Sequence, residues 1–290
     1  MMNKRTHLES LLREMGPVLV AFSGGVDSSL LLKVAKDVLG DGVLAVTGVS
    51  ESYPSAELAD AKKMAAGLGA DHLCISTKEL SNDAYARNST DRCFFCKDEL
   101  YEKLTAIAAE RGGMVVLDGS NKDDLDDYRP GMVAARQKGV RSPLKEAELT
   151  KDEIREWSKE LGLFTWDKQS FACLSSRFPY GTPITAEKLK QVDDAENVFR
   201  ELGFRQFRVR HHGTIARIEV GREDMGKVVN GLAPEIVGRL KGLGFAYVTL
   251  DLEGYRTGSL NEILAPGKPL KLQKQETIME AGREGNSSHE

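Results

Sequence analysis

The sequence predicts an α/β protein, a doubly wound parallel sheet followed by a smaller α+β domain. Three observations lead there. From Pro17 onward, short apolar runs alternate with helical stretches, the pattern of parallel strands joined by crossover helices. After the Pro/Gly-rich bend "RFPYGTP" the order changes to helix, two strands, helix and strand. A length of 290 residues, 41% hydrophobic and 29% charged, suffices for two soluble cores.

The opening "MMNKRTHLESLLREMG" reads as an amphipathic helix without the apolar core of a signal peptide. "VLVAF" reads as a buried strand and "DSSLLLKVAKDVLG" as the helix after it. "VLAVTGVS", "SAELADAKKMAAGLG", "HLCIST", "KDELYEKLTAIAAERG" and "MVVLDGSN" continue the alternation. Ligands of such sheets bind beyond the carboxyl ends of the strands, so chemistry is expected in the loops after Phe22, Gly48 and Leu117. Thr150 and Glu153 form a capping box opening "KDEIREWSKELG". In the second domain a helix is expected from Ala186 to Leu202, then the strands "FRVRHHG" and "TIARIEV", a helix near 223 to 241, and the strand "FAYVTLDL". The expected boundaries are 1–178, 179–265 and a polar, disordered tail over 266–290.

A net charge of -4 gives no overall electrostatic reason to bind nucleic acid or an anionic membrane. No apolar run reaches the length of a membrane span, and the cytoplasm is the expected compartment. Four cysteines in so long a chain do not make a disulfide framework. In a reducing compartment a Cys-x-x-Cys pair such as Cys93 and Cys96 binds metal or exchanges electrons. Cys74, in mid-strand, reads as a small buried hydrophobe.

"AFSGGVDSS" follows a strand and opens a helix. Gly24 and Gly25 can bare backbone N–H groups at a helix N-terminus, where an anion is welcome, and Ser23, Ser28 and Ser29 can add hydroxyl donors. Asp27 suits the Mg²⁺ that accompanies ATP. The string is not a Walker A loop, since no Lys-Ser/Thr follows. It resembles the PP-loop of the ATP pyrophosphatases, of adenine nucleotide alpha hydrolase-like fold, and that resemblance implies cleavage of ATP to AMP and pyrophosphate with adenylation of the substrate. "GREDMGKV", Gly221 to Val228, imitates Walker A but puts Glu223 and Asp224 where phosphates would sit, and is read as a helix start. "LDGSNKDDLDDYRPG" gathers Asp118, Asp123, Asp124, Asp126 and Asp127 at a strand's carboxyl end, and resembles the second ATP-site motif of the superfamily. Asp118 and Asp123 are therefore expected at the ATP.

"QSFACLSSRFPYGTPIT" places Cys173 at the domain junction. Together with "AFSGGVDSS", "LDGSNKDDLDDYRPG" and "VRHHGTIARIE", it makes residues 5 to 263 resemble the LarE family, ATP-dependent sulfur transferases that build the nickel-pincer cofactor of lactate racemase. The resemblance implies adenylation of a carboxylate of pyridinium-3,5-biscarboxylic acid mononucleotide and replacement of AMP by sulfur, twice over. In one branch of the family a cysteine of this loop gives up its own sulfur. Aligned on Ser-Ser-Arg-Phe-Pro-Tyr-Gly, that position is Ala172 here and Cys173 lies one residue later. The other branch carries a [4Fe-4S] cluster on three cysteines, which Cys93, Cys96 and Cys173 resemble. Zinc remains the alternative, with His211 or His212 as a fourth ligand. All three thiols are expected on loops at the sheet's carboxyl edge.

In the small domain, strand alternation sends Arg208 and Arg210 to one face and Arg217 and Glu219 to a face across the hairpin, either as a salt-bridged surface or as an anion site. The resemblance gives Arg208 and Arg210 the substrate phosphate and puts Ser176, Arg177, Glu196 and Glu219 around the substrate. It also implies a homohexamer and an external sulfur source such as sulfide. Amidation by ammonia and tRNA thiolation are the competing activities; the lack of a glutaminase domain weighs against the first, and the acidic balance against the second.

Overall fold

The computed structural model describes residues 3–126, 130–169, 172–256 and 258–260. Asp127 and the 266–290 tail lie outside the described residues, as does the side chain of Asp126. The elements are α1 (Lys4–Met15), β1 (Val18–Ala21), α2 (Val26–Leu39), β2 (Val43–Val49), α3 (Ser55–Gly67), β3 (Asp71–Ser76), α4 (Asp83–Ala86), α5 (Arg92–Glu110), β4 (Val115–Leu117), α6 (Pro130–Gln137), α7 (Pro143–Glu146), α8 (Lys151–Glu160), α9 (Ala186–Glu201), β5 (Phe207–His212), β6 (Ile215–Val220), α10 (Met225–Lys227), α11 (Ala233–Gly242) and β7 (Tyr247–Leu250).

The first four strands are parallel in the order β3-β2-β1-β4. Strand side chains alternate between faces, so β1 feeds two cores. Val18 and Val20 pack with α1, α2 and α8, while Leu19 packs with Tyr101 and Leu104 of α5. Both faces are covered, as a parallel sheet requires. The order places the crevice between the loops leaving β1 and β4, the point where the winding reverses. β3 is one of the sheet's two edge strands, and Cys74 on it is exposed, contrary to the buried position expected.

The second sheet, β5-β6-β7, pairs β5 and β6 as a hairpin and adds β7 parallel to β6. Phe199 of α9 stacks on Phe207 at the centre of its core. The helix expected near 223 to 241 is broken: a 3₁₀ turn over Arg222–Asp224, α10, a π turn over Val228–Leu232, then α11. Pro234 near the start of α11 cannot donate a backbone bond to the preceding turn, which accounts for the wide turn before it. The Walker-like string is a helix start, as read. A small cluster of Leu174, Phe178, Ile184, Leu189 and Val192, with Leu80 against it, lies at the junction between the two sheets.

Candidate active site

Gly24 has φ +65, and a Cβ there would lie 2.9 Å from Ala61 Cβ, so the turn after β1 admits only glycine. It delivers the N-terminus of α2 to the crevice. Ser28 Oγ accepts from the Ser23 backbone N–H at 3.3 Å and lies 3.1 Å from Ser23 Oγ. Ser29 Oγ is buried and has no partner among the described residues. Gly25 caps the helix through its backbone, and the first turn carries Asp27. Asp27 accepts from Asn121 Nδ2 at 3.1 Å and from the Lys151 ammonium. Lys168, bridging Glu57 at 2.9 Å and Asp60 at 2.7 Å, donates to the Gly24 carbonyl at 3.4 Å. A helix N-terminus of this form suits an anion, and two lysines stand at its rim.

The acids after β4 are engaged by their own loop and by neighbouring elements. Asp118 accepts from Ser142 Oγ at 2.7 Å, Ser120 N at 3.1 Å and Tyr101 Oη at 3.3 Å. Asp123 accepts from the Lys151 backbone N–H at 2.8 Å, and Asp124 from Asn121 N at 2.9 Å. Asn121 and Lys151 therefore tie this loop to Asp27. Neither residue stood out in the sequence, because each acts through a partner about a hundred positions away.

Cys93 and Cys96 lie on the first turn of α5 and not on a loop, which corrects the expectation; spaced three apart, they share one helix face. Cys173 precedes the short 3₁₀ turn Leu174–Arg177. Burial raises the Cys93 thiol first and Cys173 raises it further, while Cys96 is raised by burial, by Glu79 and by the other two cysteines. Tyr85, whose hydroxyl bonds Ser175 Oγ at 2.6 Å, is held neutral mainly by burial and then by Cys173 and Cys96. Among the described residues no three His, Cys, Asp or Glu side chains stand ready-made as a metal site. His211 Nε2 lies 3.1 Å from Gln191 Oε1 and the ring packs against Phe178 and Phe245 in the small domain's interior, while its Nδ1 is buried without a partner among the described residues.

The two thiol segments are pinned to each other. Asn88, buried at φ +57, donates through Nδ2 to the carbonyls of Phe178 at 3.3 Å and Pro179 at 2.8 Å. It accepts from Arg92 Nη1 at 2.5 Å, and its own carbonyl accepts from Gly181 N at 3.0 Å. The Arg92 guanidinium lies 5.0 Å over the Tyr180 ring. The loop after β2 connects this assembly to the phosphate loop: Leu174 N donates to the Ser52 carbonyl at 2.9 Å, and the next residue, Tyr53, donates its hydroxyl to the Ser23 carbonyl at 2.8 Å.

The arginine face is buried and paired, which decides against a solvated surface. Arg177, with 0% exposure, forks onto both Glu196 oxygens at 2.8 and 2.9 Å and donates to the carbonyls of Ala172 and Cys173. It positions the thiol segment. Arg210 forks onto Glu219 and donates to the Ser176 carbonyl at 2.7 Å, and Arg217 also reaches Glu219. Ser176 Oγ, half-buried beside them, accepts from Arg177 Nη1 at 2.7 Å. Arg208 stacks on Tyr255 and has its pKa lowered to about 10, first by burial and then by Arg177. A buried cation in that condition favours an anion.

Comparison with known proteins agrees with this geometry. A family model described as asparagine synthase matches residues 7–125, the part that holds the phosphate loop. An uncharacterised protein of Synechocystis is 47% identical over 263 residues, covering 90% of this chain and 98% of its own. The pyridinium-3,5-bisthiocarboxylic acid mononucleotide synthase of Lactiplantibacillus plantarum is 43% identical over 262 residues, 90% and 95% of the two chains. An uncharacterised protein of Methanocaldococcus jannaschii is 31% identical over 242 residues, 83% and 91% of the two. With relatives of that identity and coverage, and with the PP-loop fold that ATP-using enzymes share, this chain belongs to the LarE family of pyridinium-3,5-bisthiocarboxylic acid mononucleotide synthases.

Proposed function

We propose that this chain is an ATP-dependent sulfur transferase that adenylates the carboxylates of pyridinium-3,5-biscarboxylic acid mononucleotide and converts them to thiocarboxylates. The observation that carries the reading is the link through Ser52 and Tyr53, which joins the Cys173 segment to the phosphate loop. A sulfur nucleophile and an activated carboxylate have to meet, and this link puts their supports side by side.

In this reading the N-terminus of α2, with Ser23, Gly24, Gly25, Ser28 and Ser29, cradles the ATP phosphates, while Asp27 exchanges Lys151 for Mg²⁺. Asp118 and Asp123 shape the far wall. A substrate carboxylate oxygen attacks the α-phosphorus and pyrophosphate leaves. Hydrosulfide then attacks the acyl carbon, AMP leaves, and the hydrosulfide proton is released. Arg208 and Arg210 hold the substrate phosphate, with Ser176, Glu196 and Glu219 nearby and Arg177 positioning the segment.

For the sulfur, the donor set suits a thiophilic group: three thiols on segments that Asn88 and Arg92 tie to each other, which would draw together on loading. Cys93, Cys96 and Cys173 would hold a [4Fe-4S] cluster, with zinc as the alternative. Such a cluster would supply metal-bound hydrosulfide as the sulfur nucleophile. Sulfide is the proposed donor, the cytoplasm the proposed compartment and a homohexamer the proposed assembly. Tyr247, Val229 and Leu252, exposed on the small domain, are apolar surface that self-association would cover.

The test is pyrophosphate release with the pyridinium mononucleotide, ammonia and tRNA in parallel, followed by mass spectrometry after a single turnover. Release with the mononucleotide alone, repeated turnover on added sulfide and loss of transfer on replacing any of the three cysteines are expected. Release with tRNA or ammonia instead overturns the substrate. A dehydroalanine at position 173, with Cys93 and Cys96 dispensable, overturns the cluster.

A further inference from the structure

We propose that Lys168 is a positioning residue of the phosphate loop: it fixes the peptide that joins Gly24 to Gly25 and shields the nucleotide from the charges of Glu57 and Asp60. The proposal rests on ATP binding at this loop, as in the reading above, and gives a task to a residue which that reading leaves without one.

Three residues of α3 meet at the loop. Glu57, Asp60 and Ala61 are spaced three and four apart, so they share one face of the helix. Ala61 packs so close to Gly24 that no side chain fits there, and the same face therefore brings two carboxylates to the loop. Glu57 is 6% exposed, so salt and water screen its charge poorly. Left alone, the two acids would repel a polyphosphate.

Lys168 answers them. Its ammonium lies 2.9 Å from Glu57 Oε2 and 2.7 Å from Asp60 Oδ2, and it donates to the Gly24 carbonyl at 3.4 Å. An ammonium has three hydrogens, and these three oxygens engage them all, so the side chain is a clamp rather than a free hand for phosphate. Its main chain is held too. The Lys168 N–H donates to the Thr165 carbonyl at 3.0 Å, and Arg155 of α8 donates to the carbonyls of Trp166 at 2.7 Å and Lys168 at 2.8 Å.

The Gly24–Gly25 peptide is trans. In such a peptide the C=O and N–H point in opposite directions from one rigid plane, so a cation on the Gly24 carbonyl turns the Gly25 N–H away from itself. Gly25 caps α2, the helix end that suits the anion. Lys168 thus orients a donor of the cradle from behind, without touching the ligand, and leaves a single uncompensated negative charge where there would be two.

The experiment measures binding of ATP, and of adenosine, which lacks the phosphates, to the full-length protein by calorimetry at low and high salt. The variants are Lys168→Met, Lys168→Arg and Asp60→Asn. ATP affinity is expected to follow charge: about tenfold weaker in Lys168→Met, about threefold tighter in Asp60→Asn, and largely restored in Lys168→Arg. High salt should shrink these differences, and adenosine should bind all four proteins alike. Unchanged ATP affinity in Lys168→Met would overturn the proposal. So would a loss of adenosine binding as large as that of ATP, which is the mark of a loop merely distorted. Should Lys168→Met not fold, Asp60→Asn decides: tighter ATP binding supports the clamp, and unchanged or weaker binding overturns it. If ATP binds in the expected order but the pyridinium mononucleotide elicits no pyrophosphate release, the proposed substrate fails and Lys168 keeps its role. If the unmodified protein binds no ATP, both fail.

Discussion

Lys151 holds Asp27 by its side chain and Asp123 by its backbone: the ammonium reaches Asp27 Oδ2 and the N–H donates to Asp123 Oδ2 at 2.8 Å. One residue at the start of α8 thus bridges the phosphate loop and the loop after β4.

Two outcomes are expected from that bridge. Asp27→Asn leaves the fold intact and abolishes pyrophosphate release, because the nucleotide's metal loses its charged ligand. Lys151→Met tightens Mg²⁺ binding in the absence of ATP, since the ammonium no longer competes for the carboxylate, while KM for ATP rises. Calorimetric Mg²⁺ titration with and without nucleotide separates the effects. Unchanged pyrophosphate release in Asp27→Asn would remove that residue from the chemistry.

Arg208 and Arg210 should part company on stability while agreeing on substrate. Replacing either by alanine is expected to raise KM for the mononucleotide far more than KM for ATP. Arg210→Ala also leaves Glu219 buried with only Arg217 beside it and is expected to cost about 3 kcal/mol in urea unfolding. Arg208→Ala costs much less, because burial already disfavours that charge. Equal KM effects on both substrates would exclude a substrate-phosphate site here.

The fully buried Arg177–Glu196 pair gives a stability test separate from chemistry. Glu196→Gln strands the guanidinium and is expected to cost about 3–5 kcal/mol, whereas Arg177→Met combined with Glu196→Gln recovers part of that loss. Strictly additive losses in the double variant would show that the two do not act as a pair.

Acid should weaken the protein through its histidines. Burial, and then Lys188, lower the pKa of His211, and burial also lowers His72 and His212. Below the ordinary value of 6.5 the unfolded chain takes up a proton that the folded ring refuses, so stability is full above that pH and declines as pH falls through it. His211→Gln is expected to flatten, without abolishing, the slope of melting temperature between pH 6.5 and the depressed value. A slope identical to that of the unmodified protein would point to other groups.

What could be read from the chain was what is local. The phosphate loop, the Thr150–Glu153 capping box, α9 and the β5–β6 hairpin announce themselves within a few residues, because caps, turns and periodicity are short-range. The first turn of α5 did not, since Arg-Cys-Phe-Phe-Cys is indifferent helix former and only packing commits it. Glu79, Ser52, Tyr85 and Lys151 carry no sequence mark of their own. Their importance is the company they keep, and that company is assembled by the order β3-β2-β1-β4.

Asn88 bears on how the thiol site is loaded. Bringing two points some eighty residues apart to one place costs a flexible chain about 4 kcal/mol of closure entropy. In this protein the Asn88 side chain, the Gly181–Asn88 backbone bond and the Arg92–Tyr180 stack close that loop before any metal arrives. Any group held by the thiols, as proposed above, would bind to segments already brought together, so its affinity would be freed from the work of closing that loop.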